Sequence, residues 1–241
     1  MDLFTTQQGI NDVLLRWIHI GAGITWIGLL YYFNFVQAPF MNEVEAEVKG
    51  AATRRLVPRA LLWFRYAALL TFLAGATIII IKIAESGVDL LGGTYGTLIL
   101  AGMILGTIMF LNVWGVIWPK QKIVIASAEA TATGGQADPA TADSARRALL
   151  ASRTNVLFSL PMLFFMISAA HGSNLFGEAT TGAKTIFWVV FALLTAGIEL
   201  NSLAGLTGGL KKPLEKVGTV LWSGVALLAV FLILLIVLWE G

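Results

Sequence analysis

His19 and His171 are the only two imidazoles in the chain, and each falls in an apolar run long enough to cross a membrane. A titratable ring is costly in hydrocarbon, so an intramembrane histidine marks a candidate functional site. Two histidines without carboxylate or thiolate partners suit zinc poorly, because zinc takes three or four protein ligands. They do suffice for the two axial positions of a haem, whose porphyrin supplies the other ligands. Met162 and Met166, close to His171, offer Met/His ligation as the alternative. The absence of cysteine excludes disulfides, thiolate metal sites, iron–sulfur clusters and covalently attached c-type haem, so a haem held by these two histidines is one bis-histidine haem b.

The neighbourhood of His19 admits two readings. Gly21, Gly23 and Gly28, with Gly102 and Gly106 further on, remove side chains where a flat macrocycle or a close helix can sit. Trp17, Trp26, Tyr31 and Tyr32 add aromatic bulk, and Pro161 allows a kink before His171. Of these, Gly23 and Trp26 join the two histidines as expected cofactor contacts. The plainer alternatives are that glycines four apart pack helices, that tryptophans near helix ends belong to the interfacial belt, and that His171 bonds water. A second polar set is Asn34, Arg65, Asn112, Asn155, Glu199 and Asn201, all toward the other ends of their runs. Such groups normally face a bundle interior and pair. Either Arg65 and Glu199 form a structural ion pair, or Arg65, Asn34, Asn112, Glu199 and Asn201 line a pocket for a planar, polar, anionic small molecule.

The elements that position these residues follow from composition. Of 241 residues, 57% are hydrophobic and 12% charged, and the mean hydropathy is +0.81. Soluble domains carry about 25% charged residues, so the fold expected is an all-α, polytopic transmembrane bundle in one domain, 1–241. Six runs of spanning length lie at roughly 13–36, 60–81, 94–118, 155–176, 185–206 and 217–239. Only helices satisfy their own backbone in lipid. Met1–Asn11 has no basic segment, so no cleavable signal peptide is expected.

Twelve of the 16 Lys plus Arg fall between spans 1 and 2, 3 and 4, or 5 and 6, which puts those connections in the cytoplasm and both termini outside it. The longest connection, 119–154, reads as a flexible linker (Thr131–Pro139) between short surface helices. On this topology His19 lies six residues from the outer end of span 1, about 9 Å. His171 lies five from the outer end of span 4 if that helix reaches Phe176, about 8 Å. The rings should share a depth in the outer leaflet. No basic stripe suggests nucleic acid, and no P-loop, nucleophile elbow or His-Glu-x-x-His occurs.

Three stretches, Trp17–Phe33, Phe110–Lys122 and Ser152–Met166 followed by His171, resemble the membrane domain at the N-terminus of bacterial cytochrome c-linked urate oxidases (urate hydroxylases). The resemblance covers nearly the whole chain. It implies a multi-pass protein of the bacterial inner membrane, an oxidoreductase that oxidises urate or a related purine and hands electrons to cytochrome c outside the cytoplasm. Here the chain ends at Gly241 with no Cys-x-x-Cys-His, so a separate cytochrome c or terminal oxidase on the outer side is the expected partner, with a membrane supercomplex possible. The alternative is a non-catalytic, haem-containing or structural subunit of a respiratory complex. A purine transporter fits less well, since no inverted repeat or broken helix is evident.

Overall fold

A computed structural model of the chain describes Thr6 and residues 9–240; most of the polar start that bears on a signal peptide lies outside the described residues. Six helices are long and apolar enough to cross a membrane: α1 (Gly9–Glu43), α3 (Val57–Ser86), α4 (Thr94–Ala132), α5 (Thr141–His171), α6 (Thr181–Leu203) and α7 (Val217–Trp239). A short amphipathic helix, α2 (Ala46–Arg55), joins α1 to α3. No strand occurs among the described residues.

The rods overrun the expected spans. The stretch 119–154, expected as a flexible linker between short surface helices, is helical at both ends, but these helices continue α4 and α5 and only 133–140 links the two. The reason is local: Ala126, Ala128, Ala130 and Ala132 extend α4, and Ala142, Ala145, Ala148 and Ala151 open α5, alanine being the best helix former. Gly134 turns the chain with φ 83°, and the linker is tied down where the Asp138 N–H donates to Ser127 Oγ at 3.0 Å. At its other end α5 stops at His171, short of Phe176, and a 3₁₀ turn over Ser173–Leu175 follows.

Two prolines shape the polar regions. Proline removes an N–H and clashes with the carbonyl four residues back. Ahead of Pro39 and Pro119 the rods widen into π turns, Tyr32–Gln37 and Asn112–Ile117. The Ala38 N–H donates to Phe33 O, and the Trp118 N–H to Val113 O, each five residues back. Such turns recur at functional sites because they re-aim side chains. Asn34 and Asn112 sit on them.

The hub of the bundle is α5. Its most apolar window is 72% buried, against 17–33% for the other crossing helices, so its polar residues Arg153, Thr154, Asn155 and Ser159 are enclosed by protein. Close approach to α5 depends on glycine. A Cβ on Gly224 of α7 would lie 2.9 Å from Leu157 O, and one on Gly102 of α4 would lie 3.3 Å from the Met166 side chain. Gly102 and Gly106 thus seat Met166 and Met162, the helix-packing alternative for that pair.

Both ends of the bundle are clasped. At the end bearing the basic connections, Arg153 Nη1 donates to Leu214 O at 2.6 Å and also to Glu215 O. Lys211 Nζ donates to Asn201 O, and Asn201 Nδ2 to Leu210 O at 2.9 Å. Arg146 Nη1 donates to Glu215 Oε2 at 3.2 Å, and hydrogen bonding from Arg146 holds the Glu215 carboxyl below its ordinary range. At the opposite end, the Thr94 N–H donates to Glu178 Oε1 at 3.1 Å, placing a carboxylate on the positive start of α4. That bond, chiefly, holds the Glu178 carboxyl low.

Candidate functional site

His19 is fixed by α3. Its half-buried ring lies over Gly75, where an added Cβ would come within 2.9 Å of His19 Cε1. Its Nδ1 is 2.8 Å from Thr71 O. A carbonyl only accepts, so Nδ1 donates, and in the neutral ring Nε2 keeps its lone pair. This is the arrangement by which metal-binding histidines are oriented, one ring nitrogen donating to a backbone carbonyl and the other left to ligate.

His171, the last residue of α5, is exposed. Tyr31 OH and Ser159 Oγ, 2.9 Å apart, register α1 against α5. His19 lies twelve residues before Tyr31 and His171 twelve beyond Ser159. Both are therefore about 18 Å along their rods from that contact, and the rods are antiparallel, so both lie toward the same end of the bundle. No hydrogen bond joins the two rings among the described residues; the neighbours that fix His19 belong to α3.

The other expected cofactor contacts divide. Gly23 packs on Thr71 Cγ2 at 3.7 Å, a helix–helix contact, while Gly21 and Gly28 face open space. Trp26 is buried, and its indole Nε1 has no hydrogen-bond partner. A buried, unpaired donor is rare in a folded protein and suits an acceptor group brought by a ligand.

The five residues expected around an anion do not meet in one pocket. Asn112 Nδ2 donates to Asn155 Oδ1 at 2.9 Å and to Glu199 Oε2 at 3.1 Å, and Asn155 Nδ2 donates to Met109 O at 3.0 Å. This triad ties α4, α5 and α6 together. Arg65 lies on the other side of α4. Its guanidinium carbon stands 3.8 Å from the centre of the Trp118 ring, and its carbonyl accepts from Trp114 Nε1 at 3.2 Å. Residues two apart on a helix point to nearly opposite sides, so Asn112 and Trp114 separate Glu199 from Arg65. The Arg65–Glu199 ion pair is accordingly not formed. Asn34 Nδ2 donates to Leu30 O and Ser152 Oγ, leaving its buried Oδ1 without a partner. Asn201 belongs to the clasp described above.

The residues missed from sequence are those that hold the others: Thr71 and Gly75 under His19, Ser159 opposite Tyr31, and Trp118 beneath Arg65. The one available signal was Thr71 and Gly75 four apart, a small-residue pattern of helix contacts.

Residues 88–235, more than half of the chain, match the family described as urate oxidase N-terminal. The matched segment contains Asn112, His171, Glu199 and Asn201, and two of the three resembling stretches; His19, Gly23, Trp26, Asn34 and Arg65 precede it. No curated protein and no solved structure matches. On the strength of that segment, this chain of six membrane-crossing helices belongs to the urate oxidase N-terminal family.

Proposed function

We propose that the chain is an integral haem b protein of the bacterial inner membrane that oxidises urate or a related purine and passes the electrons to a cytochrome c or terminal oxidase. The observation that carries this reading is the His19–Thr71 hydrogen bond. In the neutral ring it leaves Nε2 free to ligate, and His171 lies toward the same end of the bundle. Family membership supplies the substrate class. The haem, when bound, supplies one-electron chemistry. His19 and His171 hold it, and Trp26 offers its unpaired N–H to an acceptor on the group.

For the substrate, Glu199 opposes an anion, so the recognising role falls to Arg65. Set over the Trp118 ring, its guanidinium presents a fork of donors suited to a planar, anionic ring. Arg65 lies six residues from Thr71 and ten from Gly75 on α3, about 9–15 Å by helical rise, so substrate and His19 share one rigid support. The basic connections face the cytoplasm and the histidine end faces outward, toward the acceptor.

The test is anaerobic addition of urate to the purified protein in lipid nanodiscs while the haem spectrum is recorded. Reduction by urate is expected, with Arg65→Gln raising the urate concentration required by about tenfold, a loss of roughly 1.4 kcal/mol of binding. A haem that urate never reduces overturns the oxidase reading. Co-purification of that haem protein with a terminal oxidase then makes it a respiratory subunit.

A further inference from the structure

Arg65 and Lys122 flank one indole. The Arg65 guanidinium carbon stands 3.8 Å from the centre of the Trp118 ring and Lys122 Nζ 5.6 Å from it, so the two charges lie within about 9 Å of each other. Among the described residues, neither cation donates a hydrogen bond or has a carboxylate at ion-pair distance. Arg54, Arg146 and Arg153, by contrast, each donate to a backbone carbonyl. Arg65 lies eight residues into the crossing helix α3, about 12 Å by helical rise. A guanidinium at that depth needs acceptors, and where the protein offers none they come from water or lipid.

The site has a direction. Arg65 O accepts from Trp114 Nε1, while its guanidinium reaches Trp118, one turn nearer the basic connection. The side chain thus snorkels toward the interface. Lys122, a further turn along α4, is exposed. In the opposite direction the surface is open and apolar: Tyr66 and Leu73 of α3 are 51% and 50% exposed, and Leu111 of α4 is 57% exposed. Two cations beside such a face match a phospholipid, with the phosphate at one end and the acyl chains along the other. Basic pockets between crossing helices on the cytoplasmic side hold headgroups of this kind. Charge-assisted bonds to phosphate run to about 2.8 Å, so one phosphate spans the pair. A zwitterionic lipid would add a third positive charge with no carboxylate to receive it. An acidic lipid adds none.

We infer that Arg65, Lys122 and Trp118 form a binding site for the phosphate headgroup of an acidic phospholipid in the cytoplasmic leaflet. The lipid phosphate takes the same donors that the reading above gives to urate, and so competes with it. The site itself does not rest on that reading, and its test involves no urate.

Delipidated protein is titrated by native mass spectrometry with phosphatidylglycerol and, separately, with phosphatidylcholine of the same acyl chains. One phosphatidylglycerol is expected to bind about tenfold more tightly than phosphatidylcholine. Arg65→Gln and Lys122→Gln should each weaken its binding by about fivefold, the effect of one basic side chain at the membrane surface. Neither substitution removes a hydrogen bond within the described protein, and Lys122, being exposed, can be changed without altering thermal unfolding. Equal binding of the two lipids, or a preference that survives both substitutions together, overturns the inference. Soluble glycerophosphate that displaces the lipid overturns it too, by making this a site for a free anion.

Discussion

Gly75→Ala separates an oriented ligand from a histidine that only packs. The added methyl would stand 2.9 Å from His19 Cε1 and 3.0 Å from Nδ1, well inside ordinary contact. The obstructing atoms are the end of a side chain, so the ring can swing aside and the backbone need not move. The cost then falls mainly on the 2.8 Å bond to Thr71 O, about 0.5–1.5 kcal/mol of stability. The effect on the proposed haem is larger in proportion. Loss of a partner that orients a metal-binding histidine typically lowers affinity about 10–100-fold. The assay pairs SDS-induced unfolding in bicelles with haem titration followed at the Soret band. A stability loss near 1 kcal/mol with a haem affinity equal to wild type would refute the reasoning, because His19 would then be a packing residue.

Other substitutions test the scaffold. Gly224→Ala directs its methyl at Leu157 O, 2.9 Å away on the α5 backbone. Since that atom cannot swing aside, a loss of about 1–3 kcal/mol is expected in the same unfolding assay, exceeding that of Gly75→Ala; an equal or smaller loss counts against the packing described. Asn112→Leu strips the donor from both Asn155 and Glu199. It should cost about 1–3 kcal/mol, and a neutral result would show that the triad does not join α4 to α5 and α6. The Glu215 carboxyl titrates below its ordinary range because Arg146 hydrogen-bonds it. Its contribution is thus complete above the unfolded value, about 4.3, and is lost as pH falls through the lower folded value. Proteolysis of the 204–216 connection should rise across that acid interval in wild type and show no such step in Glu215→Gln.

The six crossings were legible because runs of twenty apolar residues have few alternatives in water or lipid. The span limits suggest a common level for the two histidines if α5 reaches Phe176; the rod ends at His171 instead, and the Tyr31–Ser159 register sets both residues toward one end of the bundle. What sequence does not encode openly is which helix faces which. Nothing in the residues around His19 announces that α3, through Thr71 and Gly75, lies beneath its ring. Arg65 and Glu199 looked like partners on charge and depth alone. They fail to pair because α4 passes between them and its π turn sends Asn112 one way and Trp114 the other. The alanine-rich ends of 119–154 read as short surface helices, and they prove to be continuous with α4 and α5 because no residue between them and the apolar runs breaks the helix.

The most direct measurement is the absorption spectrum of the purified, folded protein beside those of His19→Ala and His171→Ala. Ligation of one haem b by both imidazoles predicts a Soret band in wild type that is lost or shifted to a different spin state in each variant. A colourless wild-type protein, or a spectrum that neither substitution alters, would contradict it.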